Sequence, residues 1–191
     1  MESKWPDEND EEIARRIQAG EEDLFSRLID RYEAKISRYA RKFLSDSDDI
    51  NDVLQEIFIK VYININSFDV SRKFSPWIYR IAHNELVNAL RKKKRNVLPI
   101  LNLDVFLPYN LSKTAVEKEN DDRDIKRMAE TCLDGIDLKY REPIILFYFD
   151  ELSYKEISEI LQIPVSTVGI RIKRGREKMK QIYIKNEKIT Q

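Results

Sequence analysis

The chain has 191 residues, 42% of them hydrophobic and 36% charged, with 34 Lys/Arg balanced by 34 Asp/Glu. That length holds one or two domains with sizeable cores, and a single cysteine, Cys132, excludes an internal disulfide and fits a buried core residue. No apolar run approaches the roughly 18 residues of a membrane span, and the polar, acidic start Met1–Pro6 is no signal peptide. A cytoplasmic protein without membrane insertion is therefore expected. Four glycines and few alternating stretches predict an all-α fold.

In chain order, a short helix is predicted from Asp10 to Ala19, stopped by Gly20. A long second helix carries Leu24, Phe25, Leu28, Ile29, Tyr32, Ile36, Tyr39 and Phe43 on one face. Ser45–Asp48 can cap a third, which buries Ile50, Val53, Leu54, Ile57, Phe58 and Val61. A polar loop, Asn66 to Lys73, holds Phe68 and leads to Phe74. Ser75-Pro76 is a suitable start for a fourth helix reaching Arg95. Residues 96–122 form a linker with two prolines, whose apolar first half, Val97–Leu101, is expected to lie against something. Three helical segments then precede the last: Ile125–Ile136, Lys139–Phe149 and Tyr154–Ile163. The expected architecture is two small helical domains, 1–95 and 123–191, joined by an extended linker.

The strongest motif is a helix-turn-helix at about 153–181. Ser153 and Glu156 make a capping box, Ile157, Ile160 and Leu161 form an apolar side, and Gln162-Ile163-Pro164 breaks the helix. Ser166 or Thr167 can cap the next one. There Val168, Ile172, Gly175, Met179 and Ile182 make one narrow stripe, with Gly175 admitting a close neighbour. Ser166, Ile170, Lys173, Arg174 and Glu177 wind to the opposite side, flanked by Arg171 and Arg176. A short helix, tight turn and basic second helix suit the DNA major groove. A helical hairpin with a solvated charged face is the plainer alternative.

Charge is zero in sum but segregated. Residues 1–60 carry ten Lys/Arg against sixteen Asp/Glu, whereas 61–95 and 166–191 each carry eight against two. Local potential decides where phosphate binds, so two nucleic-acid surfaces are expected, with the acidic parts left for a basic protein partner. Opposite the third helix's buried stripe lie Asp48, Asp52, Gln55, Glu56, Ile59 and Ile63, a protein-docking face unless the same domain covers the isoleucines. The fourth helix buries Ile78, Ile81, Ala82, Leu86 and Ala89. It shows Arg80, His83, Asn84, Val87 and Arg91, with Trp77 and Asn88 at the margin, and ends in Arg91-Lys92-Lys93-Lys94-Arg95. Phe68, Phe74 and Trp77 beside these cations suit an unstacked single strand, although core packing is the simpler role for Trp77. His83 is the sole histidine, with no Cys or carboxylate at ligand spacing, so neither a zinc site nor any cofactor is expected. No nucleophile–base set or phosphate-cradling glycine loop supports an enzyme.

Four stretches resemble the extracytoplasmic-function (ECF) group of bacterial sigma factors. Residues 52–62, DVLQEIFIKVY, are similar to its core-polymerase-binding helix, within a docking motif of about 52–65. Residues 74–84, FSPWIYRIAHN, are similar to its minus-ten helix. Tyr140-Arg141-Glu142-Pro143-Ile144 resembles the start of the second helix of its C-terminal domain, and 152–168 resembles its minus-thirty-five helix-turn-helix. The resemblance implies a protein that binds RNA polymerase core and directs initiation at minus-thirty-five and minus-ten elements. It implies core binding through Asp48, Asp52, Gln55, Glu56, Ile59 and Ile63. Phe68, Phe74, Arg80, His83, Asn84, Asn88, Arg91 and Lys92 would meet minus-ten DNA and its melted non-template strand. Ser166, Thr167, Gly169, Ile170, Arg171, Lys173, Arg174 and Arg176 would meet the upstream duplex. It also implies an anti-sigma factor as control partner. The family usually has a basic residue at Gly169, a serine or similar at Ile170 and alanine at Gly175. A stand-alone helix-turn-helix regulator and a purely protein-binding adaptor are the alternatives.

Overall fold

The computed structural model describes the backbone of residues 8–97 and 121–190, with side chains over 8–93 and 127–186. Every regular element among these residues is helical. Residues 98–120, the greater part of the expected linker and all of its apolar half but Val97, lie outside the described residues. The described residues fall into two compact units, one built on 8–97 and the other on 121–190.

In the first unit α1 spans Asp10–Gln18, capped by Asn9, whose Oδ1 accepts from Glu12 N at 2.8 Å. Its charges follow the helix dipole, Asp10, Glu11 and Glu12 first, Arg15 and Arg16 last. Ile13, Ala14 and Ile17 face inward. Gly20, at φ +106°, lets the chain turn in a conformation that L side chains avoid. A 3-10 turn, Glu22–Leu24, leads to α2, Phe25–Ala40. The predicted face is realised there: Leu28, Tyr32, Ile36 and Tyr39 are buried, and Phe43 is buried just beyond the helix.

Asp46 caps α3, Ser47–Asn64, with Oδ1 accepting from Asp48 N at 2.9 Å and Asp49 N at 3.2 Å. Such a cap contributes about 1 kcal/mol. Ile50, Val53, Ile57 and Val61 are buried, while Leu54 and Phe58 are half-buried. After a 3-10 turn, Ile65–Ser67, and a loop, α4 runs Phe74–Val97, two residues into the expected linker. Edge-to-face rings knit the core: Tyr32 with Phe74 at 5.5 Å, Tyr39 with Tyr79 at 5.4 Å and Phe68 with Phe74 at 5.2 Å.

The second unit comprises α5 (Asp121–Asp134), α6 (Leu138–Tyr148), α7 (Tyr154–Leu161) and α8 (Val165–Thr190). The buried Arg141 on α6 donates from Nη2 to the carbonyls of Asp134 and Ile136 (3.2 Å to the latter), satisfying acceptors left over where α5 ends. Val168 and Ile172 anchor α8. A Cβ on Gly175 would stand 2.6 Å from Ile144 Cδ1 and 3.2 Å from Tyr140 Cβ, so α6 and α8 approach as closely as the sequence stripe demanded.

Candidate nucleic-acid interface

The acidic-apolar face of α3 is exposed from end to end. Asp48, Asp52, Gln55 and Glu56 are all exposed, and Ile59 and Ile63 keep 44% and 67% of their surface. The described residues of the first unit leave both isoleucines exposed. Tyr62, absent from the residues selected by pattern, widens this face. Its ring meets Phe25 edge-on at 5.1 Å and its hydroxyl donates to Glu22 at 2.9 Å. Lys60 instead leans across to Glu85 of α4 at 2.7 Å.

On α4, Arg80, Asn84, Asn88, Arg91 and Lys92 are exposed and His83 is half-buried. Lys93 reaches Asp49 at the start of α3, 2.7 Å away. The aromatic expectation needs correcting. Phe68 is 5% exposed and Phe74 0%, so neither ring offers a face to a base. Burying each ring removes a large apolar surface from water, and Tyr32 and Trp77 supply the partners. Trp77 alone stays half-exposed, its ring 5.1 Å from Phe68 and 5.4 Å from Phe74. The loop before α4 is ordered from within: Asp69 accepts from Ser71 N at 3.0 Å and Ser71 Oγ at 2.7 Å. These bonds, with Arg72 adding a smaller charge effect, hold the Asp69 carboxyl below its usual range.

The start of α4 also differs from expectation. Ser75 does not cap it; the amide of Phe74 donates to Glu11 of α1 at 2.7 Å. Gln18 of the same helix donates from Nε2 to the carbonyls of Ile65 (2.7 Å) and Phe68 (2.9 Å). No local signal could have revealed bonds spanning 63, 47 and 50 residues.

In the second unit the capping box is complete. Ser153 N donates to Glu156 at 2.8 Å, and Glu156 N returns to Ser153 Oγ at 3.3 Å. Gln162 ends α7 in the left-handed region at φ 55°, and Ser158 Oγ holds the Ile163 carbonyl. The next helix is not capped by Ser166 or Thr167. The Pro164 carbonyl accepts from Thr167 N at 2.9 Å and Val168 N at 3.1 Å, which places both residues inside the first turn. Ser166 is thereby turned outward on the exposed face with Ile170 (51% exposed), Lys173, Arg174 and Arg176, while Thr167, Gly169 and Arg171 are half-buried. Gly169 lies against the Tyr154 ring of α7, 3.4 Å from where its Cβ would stand.

Among the described residues no helix is long and apolar enough to cross a membrane, and no three His, Cys, Asp or Glu side chains are placed to hold a metal.

A helix-turn-helix with a cationic outer face, in one chain with a helical unit that carries an acidic-apolar face and a basic helix, is the make-up of a nucleic-acid-binding protein. Residues 28–96 match Sigma-70 region 2 and residues 126–179 match Sigma-70, region 4. The chain is 37% identical over 187 residues to the ECF RNA polymerase sigma factor SigW of Bacillus subtilis, covering 87% of this chain and 92% of that one. It is 31% identical over 175 residues to the ECF RNA polymerase sigma-E factor of Escherichia coli K12, covering 88% and 91%. It belongs to the ECF sigma factors and is a promoter-recognising subunit of RNA polymerase. The fold is similar to that of CnrH solved with the cytosolic domain of CnrY (TM-score 0.67, 23% identity, 91% of this chain and 96% of that one). It is also similar to RpoE from Bartonella quintana solved with the anti-sigma factor NepR (TM-score 0.65, 23% identity, 84% and 96%).

Proposed function

We propose a division of labour within this sigma factor. Asp48, Asp52, Gln55, Glu56, Ile59 and Ile63 dock on a basic surface of core polymerase. Arg80, His83, Asn84 and Asn88, with the loop 66–73 and the half-exposed Trp77, receive the melted non-template strand, while Arg91 and Lys92 hold nearby phosphates. Ser166, Ile170, Lys173 and Arg174 meet base edges of the upstream element, with Arg171 and Arg176 on phosphates. Phe68 and Phe74 support the strand surface from beneath. Domains 1–95 and 123–191, tethered through 96–122, then act together because polymerase fixes both on one promoter and raises each one's effective concentration.

The observation that carries this reading is the pair Ile59 and Ile63, left exposed among carboxylates. A charged rim around an apolar centre is what a protein partner requires. On this reading the chain works in the cytoplasm, is not an enzyme and needs no cofactor. An anti-sigma factor covers the same faces, as NepR is bound to the similar RpoE. Run-off transcription with purified core enzyme tests the assignment. Charge reversal at Asp52 and Glu56 abolishes core binding, and unchanged affinity would refute it.

A further inference from the structure

We infer that α1 is a positioning clamp for the loop that leads to the DNA surface of α4. The inference rests on the reading above, in which loop 66–73 and α4 receive the melted strand. Glu11 and Gln18 are seven residues apart, two turns of helix, so they share one side of α1 about 10 Å apart along its axis. Each grips one end of the loop. Gln18 Nε2 donates to Ile65 O at 2.7 Å and Phe68 O at 2.9 Å, where the loop begins. Glu11 Oε1 accepts from Phe74 N at 2.7 Å, where the loop ends and α4 starts.

The chemistry suits each end. A 3-10 turn releases carbonyls that need donors, and an amide side chain offers two. A helix start leaves amides without partners and favours an anion. Both side chains are part-buried, so water competes poorly for the bonds. The loop's own bonds are short-range: Ser67 Oγ donates to Asn64 O at 2.7 Å, and Ser71 donates to Asp69 from N and Oγ. Helix α1 is itself fixed on α2: Asp10 accepts from Tyr32 Oη at 2.6 Å and Arg31 Nη1 at 2.5 Å. The loop is thus tied at both ends to one helix. Helix α1 presets the loop for strand capture without touching the strand.

The test uses holoenzyme assembled from core polymerase and the full chain, on a promoter recovered by sequencing its own transcripts. Gln18→Glu keeps the side-chain shape but removes both donors. Glu11→Ala removes the acceptor, whereas Glu11→Gln keeps one. Core affinity is expected to stay unchanged for all three. Permanganate-detected melting of the promoter is expected to fall roughly tenfold in Gln18→Glu and Glu11→Ala, and to persist in Glu11→Gln. In the free full-length chain carrying Trp5→Phe, acrylamide quenching of Trp77, whose ring lies 5.1 Å from Phe68, is expected to rise in the two impaired variants only. That signature reports the loop, and the unchanged core affinity separates positioning from a loss of folded protein. Arg80→Ala serves as the control for the underlying interface. Melting lost in Arg80→Ala but retained in Gln18→Glu and Glu11→Ala overturns the clamp alone; melting retained in Arg80→Ala overturns the strand-capture reading beneath it.

Discussion

The Tyr32 hydroxyl donates to the Asp10 carboxylate at 2.6 Å, and the ring is 2% exposed between α1 and α4. Burial first, then the Asp10 charge and hydrogen bond, push the phenol far above its ordinary value of 10.0. In the unfolded chain the same phenol ionises near pH 10, while in the folded chain it keeps its proton. The folded state therefore binds more protons above that pH, and its stability falls as pH rises. Tyr32→Phe is expected to cost about 1 kcal/mol at neutral pH and to flatten part of the alkaline decline. Urea unfolding at pH 7 and at pH 10.5 checks both effects.

The exposed apolar centre of α3 separates binding from stability. Ile63, 67% exposed, has little burial to lose on truncation. Ile63→Ser is expected to leave the melting temperature within about 1 °C of the parent, since surface changes typically stay within about 0.5 kcal/mol. Core-polymerase affinity should fall about tenfold, as for an interface residue costing more than about 1 kcal/mol. Thermal melting and a fluorescence-anisotropy titration with core enzyme decide the point, and unchanged affinity would remove Ile63 from the interface.

On α8, phosphate and base contacts predict different signatures. Arg176→Ala is expected to weaken binding about equally across promoter sequences and to lower the salt slope of holoenzyme–promoter binding by about 0.9. Lys173→Ala and Arg174→Ala are expected to spare core binding, lose promoter use and relax base preference at one or two upstream positions. Titrations at several salt concentrations against a small promoter library distinguish the two patterns.

Two glycines of α8 call for opposite outcomes. At Gly169 an added Cβ meets the Tyr154 ring at an ordinary 3.4 Å, so Gly169→Ala gains helix propensity and is expected to stabilise the C-terminal unit by up to about 1 kcal/mol. At Gly175 the Cβ meets Ile144 at 2.6 Å and the Tyr140 carbonyl at 3.3 Å. Gly175→Val is expected to cost about 2 kcal/mol or more through overpacking. Opposite shifts in melting temperature verify the pair, whereas equal shifts contradict the packing.

What could be read in advance was local. The Ser153–Glu156 box, the Asp46 region as a cap, the break at Pro164 and the Val168–Ile172–Gly175 stripe each rest on residues within a few turns, where sequence spacing is geometry. The outward residues of α3 and the cationic face of α8 followed from the same periodicity, which fixes their outward side without establishing what they bind. What escaped depended on distance along the chain. Nothing near Phe74 reveals that Glu11 meets its amide, nor near Ile65 that Gln18 meets its carbonyl. Phe68 and Phe74 were misplaced for a related reason. Aromatics beside cations suit a base-stacking surface and a buried cluster equally well, and only the position of Tyr32 decides. Arg141 escaped too, since a buried guanidinium serving the end of a preceding helix carries no pattern of its own.

Ile170 stands half-exposed in the middle of a cationic face with only hydrocarbon to offer. A polar reader rejects a wrong partner sharply, because a mismatch strands an unsatisfied donor; a branched alkyl group strands nothing. Tolerance follows at that one position. Promoters served by this factor would then differ by degrees of firing strength, and a single drifted base upstream would dim a gene rather than silence it.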